Sequence, residues 1–294
     1  MTEARQTHAW LGWLPLPLFV FAVLAVGLRL VPWAFMWLLS ITIFFGLKWL
    51  TWWKAPTSAT SWARSLAYLF AWPGMDVERF MSTARKVDPP SIRAWFMAVL
   101  KTAFGALIFW QLARRVPASH PLLQGWAGMV GLIFLLHFGS FDLLAQFWRW
   151  RGIDATPIMD RPHRSASLSE FWGKRWNLGF RQFAYDLVFV PLRARKASPA
   201  AISFAIFLLS GLIHDLVISL PARGGYGLPT LYFVIQGVGV WFERSKAGRA
   251  MGLGSGAAGW LFMALVTIAP AGLLFHRPFI LNVIIPFMKA VHAL

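Results

Sequence analysis

The sequence of 294 residues contains no cysteine. That absence excludes disulfides, thiolate metal sites and an acyl-enzyme held as a thioester, so any acyl transfer must be direct or pass through Ser, Thr or His. Acidic residues are scarce too: Asp and Glu number 11 against 28 Lys and Arg, and charged residues make up only 13% of the chain. Soluble domains carry about 25% charged residues, and a chain that is 58% hydrophobic is not one of them. Internal repeats and low-complexity tails are also lacking, so residues 1–294 are expected to form a single domain.

What is abundant is apolar sequence in long runs. Candidate spans fall near 13–30, 32–50, 95–112, 122–147, 200–220, 228–243, 256–275 and 278–292. Each is close to the about 20 residues that a helix needs to cross a hydrocarbon core of about 30 Å. Such runs are too long for the alternating strands of an outer-membrane barrel. The expected fold class is all-α: a polytopic transmembrane helical protein of about eight spans, with re-entrant or interfacial helices between some of them.

The net charge of +17 would suggest nucleic acid in a soluble protein. Here the bases lie between apolar runs, where topology and anionic lipid account for them, and no nucleic-acid partner is expected. Connections after even-numbered spans hold 20 Lys and Arg, whereas those after odd-numbered spans hold only Arg29, Arg114, Arg115, Arg223 and Arg277. The positive-inside rule then puts both termini in the cytoplasm. Trp49, Trp52, Trp53, Trp62, Trp72, Trp148, Trp150, Trp172 and Trp176 gather on or beside the same basic side, as an interfacial belt does. The first span has no small-residue cleavage site and is expected to stay uncleaved.

Two basic segments are longer than turns. Residues 61–72 are apolar on one side and too short to cross, which predicts an interfacial helix ended by Pro73-Gly74. In residues 168–192, part of a long loop, aromatics and aliphatics alternate with Lys174, Arg175 and Arg181, as in helices that lie in or dip into a membrane.

Within the fifth span stand His214 and Asp215. Ionisable groups are costly in a bilayer and mark function by default. A neutral imidazole can accept a hydroxyl proton near pH 7. Adjacent residues on a helix point about 100° apart, so Asp215 is as well suited to holding a neighbouring helix. A transporter could relay protons through the same pair, but the broken helices and repeats common in transporters are not evident. His137 and Asp142 match an H-x4-D pattern; with no membrane-surface α/β domain to display it, the match is read as coincidental, while His137 could still face the cavity of His214. In the 168–181 stretch, Lys174, Arg175 and Arg181 suit phosphates, Trp172 and Trp176 form an apolar wall, and Asn177 offers an amide donor. A helix anchored to anionic membrane lipid would have a similar composition. No metal and no bound cofactor is required.

The run Ser167-Leu168-Ser169-Glu170-Phe171-Trp172-Gly173-Lys174-Arg175-Trp176-Asn177 resembles the S-L-x-x-F-W-G-R-R-W-N signature of the wax synthase group, within the membrane-bound O-acyltransferase superfamily. Tyr185-Asp186 follows in the same order, and Ser210-Gly211-Leu212-Ile213-His214-Asp215 resembles that group's S-G-L-M-H-E. The resemblance implies a helical membrane enzyme with a central tunnel. Acyl-CoA would enter from the cytoplasm and a hydroxyl acceptor, a long-chain fatty alcohol in wax ester synthesis, from the lipid or the far side. His214 would be the general base and Asn177 a second catalytic or thioester-positioning residue, with Asp215 replacing the usual Glu. Sister enzymes acetylate polysaccharides or other polar acceptors. The implied location is a bacterial inner membrane, or the endoplasmic reticulum in a eukaryote. Asn177 in a cytoplasmic stretch and His214 at mid-membrane can serve one substrate only if residues 168–192 re-enter the bilayer, where irregular backbone is tolerated along a cavity.

Overall fold

The computed structural model describes residues 9–55 and 61–294, and among them every regular element is helical. Five helices are long and apolar enough to cross a membrane: Pro32–Lys54, Ile92–Arg115, Pro121–Trp150, Pro199–Ala222 and Gly256–Leu274. The protein is therefore an all-α, polytopic integral membrane protein. The other three expected spans are also helical but shorter. The chain divides into two compact units, residues 1–158 with 288–294, and residues 159–287.

The first unit opens with a hairpin of α1 (Pro15–Gly27) and α2 (Pro32–Lys54), each started by a proline whose missing N–H costs nothing at a helix N-terminus. Helix α3 (Trp62–Ala71) is the expected amphipathic piece, capped by the Ser61 hydroxyl, which accepts from the Arg64 N–H at 3.3 Å. It stops ahead of Pro73, and α4 (Val77–Met81) starts on an Asp76 cap. Tyr68, Trp72 and Phe80 bury together with Ala145. Lys48 of α2 is fully buried, and its Nζ donates to the Gly74 carbonyl at 2.6 Å.

Helices α5 (Ile92–Leu107), α6 (Pro121–Leu132) and α7 (Phe141–Trp150) complete this unit, with wide turns at 108–112 and 133–140 carrying the axes onward. Lipid offers no hydrophobic drive for helices to pair, so close packing through small residues has to supply it. Gly105 and Gly139 do so: an added Cβ would sit 2.3 Å from the Leu135 nitrogen and 2.7 Å from the Thr102 Cα. A Lys101–Asp142 ion pair ties the same elements.

The second unit contains α8 (Leu168–Glu170), α9 (Leu178–Ala184), α10 (Val190–Ala194), α11 (Pro199–His214), α12 (Leu228–Glu243), α13 (Gly256–Ile268) and α14 (Ala271–Leu274). Helices α11 and α12 run antiparallel, since Gly211 lies against Thr230 while Gly237 lies against Phe204 and Phe207. Leu168, Phe207, Tyr232, Phe233, Val240 and Met263 form the core. Residues 168–181 are largely helical, as their interleaved aromatics and bases predict. Ser167 caps the run, its hydroxyl accepting from the Glu170 N–H at 3.0 Å, and Glu170 Oε2 accepts from the Ala166 N–H, one residue before the cap, at 2.7 Å; together they start a helical run.

Candidate active site

A pocket of about 450 Å³ opens within the second unit, and both His214 and Asn177 line it. Residues Ser203, Ile206, Phe207, Ser210 and His214 contribute one face of α11, at the spacing of three and four residues that a helix stripe requires. Phe233 and Val240 come from α12, and the run from Ser169 to Phe189 supplies the facing wall. From Ser203 to His214 the stripe covers about 16 Å at 1.5 Å per residue.

The His214 ring is fixed by its own helix. Its Nδ1 lies 2.7 Å from the Ser210 carbonyl, which can only accept, so Nδ1 carries the proton and the neutral ring presents Nε2 as a bare base. Among the described residues Nε2 has no partner. Phe233 rests against the imidazole at 4.6 Å between ring centres and limits its tilt.

Asp215 turns away to another task. Its carboxylate accepts from the N–H groups of Gly227 (2.8 Å) and Thr230 (3.0 Å), from the Thr230 hydroxyl, and from Ser219 Oγ at 2.9 Å. Those two amides are orphan donors of the first turn of α12, so Asp215 caps a helix other than its own. Gly211 permits this approach, because a Cβ there would meet the Thr230 Cα at 2.7 Å.

Asn177 occupies the left-handed region, φ 43° and ψ 61°, which Asn tolerates better than most residues. Its Oδ1 accepts from the Phe180 N–H at 3.2 Å as the N-cap of α9. The carbonyl half of the amide is thereby committed, and the Nδ2 hydrogens remain for the pocket. Trp172 is positioned by Gln236, whose Oε1 accepts from the indole N–H at 3.2 Å, and it packs edge-on to Phe207 at 5.7 Å. Trp176 stacks on Phe171 at 5.3 Å. Both indoles line the pocket.

The expected phosphate ligands separate. Arg181 lines the pocket, with one guanidinium N–H on the Gly173 carbonyl at 3.0 Å. Lys174 is exposed and lies outside the lining. Arg175 lies outside it as well, its Nη2 paired to Glu170 at 2.6 Å and its Nη1 donating to the Asp160 carbonyl at 3.3 Å. The Ala166 N–H, and after it Arg175, hold the Glu170 carboxyl below its ordinary value against the opposing effect of burial. The motif is thus in large part a clip that shapes itself.

Sequence reasoning missed Arg244, which lines the pocket while its Nε donates to Ser169 Oγ at 2.9 Å. It also missed Glu243, a buried carboxylate that accepts from the N–H groups of Leu168 (2.5 Å) and Ser169 (3.1 Å) and so anchors the start of the motif. His137 belongs to the first unit and is not in this lining; among the described residues its buried Nδ1 has no partner. Asp142 is taken up by Lys101 and by Gln146, whose amide donates to it at 2.8 Å, as suits a coincidental H-x4-D match.

Residues 155–235, the stretch that holds the clip, Asn177 and His214, match the model of the "Membrane bound O-acyl transferase family". This chain resembles the membrane-bound O-acyltransferases, and within them the wax synthase-like group. It is 34% identical over 95 residues to "Probable long-chain-alcohol O-fatty-acyltransferase 9" of Arabidopsis thaliana, covering 30% of this chain and 28% of that one. The match to "Probable long-chain-alcohol O-fatty-acyltransferase 2" of the same plant is 28% over 141 residues, 45% of this chain and 41% of the relative. The chain spans less than half the length of these curated relatives.

Proposed function

We propose that the protein transfers an acyl group from acyl-CoA to a hydroxyl, with a long-chain fatty alcohol as acceptor. His214 Nε2 takes the hydroxyl proton, the oxygen attacks the thioester carbonyl, the C–S bond breaks, and the proton passes to the departing thiolate. An ester and free CoA result, so atoms and charge balance with no further reactant. Asn177 Nδ2 donates to the thioester oxygen as negative charge builds there. The observation that carries this reading is the shared pocket: a base fixed in one tautomer and an amide held by its cap line one cavity. Arg181 and Arg244 line it too, with no carboxylate among the lining residues, which suits the polyanionic end of the donor. Lys174 and Arg175, outside the lining, are left to the approach of the donor and to the clip. The aromatic wall of Trp172, Phe180, Tyr185, Phe189 and Phe207 favours an apolar acceptor over a polysaccharide.

The test is thiol release from acyl-CoA by protein in nanodiscs, with and without a long-chain alcohol. Alcohol-dependent release that falls about 10²- to 10⁴-fold in a folded His214→Ala variant is expected, the range for losing a general base. Release that the substitution leaves unchanged would sink the assignment.

A further inference from the structure

The first unit has its own pocket, of about 490 Å³, where residues 85–88 meet the end of α7 and the chain that follows it. It shares no lining residue with the pocket around His214. Three cations line it, Arg85, Lys86 and Arg149, against two acids, Asp88 and Asp154. Asp154 is already occupied: Arg85 Nη1 pairs with it at 3.2 Å and Arg79 Nε stands 4.0 Å away. Arg149 is oriented by the Asp88 carbonyl at 3.4 Å, and Thr156 Oγ1 accepts from Arg79 Nη1 at 2.8 Å.

Each guanidinium is therefore held by an acceptor while other N–H groups stay available. Lys86 is exposed, and among the described residues neither its ammonium nor the backbone N–H groups of Val87 and Asp88 have a protein partner. Several fixed donors around a cavity with surplus positive charge suit a phosphate, whose oxygens accept from all sides. A cation does not fit: among the described residues no group of three or more metal-ligating side chains exists.

The neighbouring side chains decide where that phosphate comes from. Ile92 and Phe96, just after the pocket residues, are 89% and 64% exposed, and Trp150 beside Arg149 is 61% exposed. Such large apolar groups next to a basic pocket are at home where acyl chains meet headgroups, not in water. We infer that this pocket binds the phosphate of an anionic phospholipid headgroup, with Arg85, Lys86 and Arg149 as its ligands.

The experiment is native mass spectrometry of the full chain released from nanodiscs of phosphatidylcholine mixed with phosphatidylglycerol. The wild type is expected to retain phosphatidylglycerol preferentially. Lys86→Gln and Arg149→Gln should each lower retention about fivefold, the effect of one cation at a membrane surface. Asp88→Asn, which removes an acid and no cation, should raise it, and a gain of binding cannot come from misfolding. Equal retention by all variants overturns the site. Displacement of the lipid by millimolar free CoA or inorganic phosphate, with the same dependence on Lys86, overturns the lipid assignment in favour of a soluble phosphate.

Discussion

Asn177 can be removed in two ways that separate its backbone role from its amide. Replacement by alanine deletes the cap on α9, worth about 1 kcal/mol, and forces a Cβ-bearing residue with no local hydrogen bond to keep φ at 43°, which costs about 1–2 kcal/mol more. Replacement by glycine relieves the backbone and loses only a few tenths of a kcal/mol at the cap. Asn177→Gly is therefore expected to be more stable than Asn177→Ala by about 2 kcal/mol, the reverse of the order inside a helix, as thermal unfolding in nanodiscs would report. Both variants lack Nδ2, so thiol release should fall about 10²- to 10³-fold in each, the usual cost of a lost donor to a developing oxyanion. Wild-type turnover in the well-folded glycine variant would refute the donor role. Equal stability of the two variants would refute the left-handed cap.

Asp215→Ala strands two first-turn amides of α12 and the Thr230 hydroxyl, while Ser219 Oγ keeps the Gly225 carbonyl and His276, and it is expected to cost about 2 kcal/mol or more in chemical denaturation. Gly211→Ala places a Cβ 2.7 Å from the Thr230 Cα, so it should cost about 1–3 kcal/mol and reduce turnover through the nearby His214. Glu170 has a folded-state pKa below its ordinary value, so its stabilisation of the clip is full above the ordinary carboxylate value and is lost as pH falls through the folded one. Amide exchange at Ala166 should lose protection over that acid range, and Glu170→Gln should abolish the pH dependence. Asp142→Asn should leave thiol release unchanged; a large loss would restore the H-x4-D pair to the chemistry.

The helices were legible because long apolar runs leave few alternatives: the run at 228–243 is α12 to the residue, and 200–220 lies within the observed 199–222 helix. That His214 and Asn177 would line one pocket was legible through the motifs that hold them. The roles of their neighbours were not. Lys174-Arg175 reads as a pair of phosphate ligands, yet the wide turn at 171–175 brings positions five apart together, so Arg175 closes on Glu170. A periodicity of 3.6 does not anticipate that pairing. Arg244 was hidden for another reason. It lies in a basic connection that the positive-inside rule explains fully, and a residue with one sufficient explanation invites no second. Glu243 left a usable signal, an acid closing an apolar span in a chain with only 11 acidic residues.

Helix α12 is tied at both ends to the two sides of the pocket: its first turn is held by the residue after His214, and its last residue holds the start of the clip that leads to Asn177. It acts as a gauge block. Its 16 residues, about 24 Å, set how far apart the mounts of His214 and Asn177 stand. Deleting one residue would draw the two mounts together by about 1.5 Å and rotate one against the other by about 100°, so α12 should tolerate changes of side chain far better than changes of length.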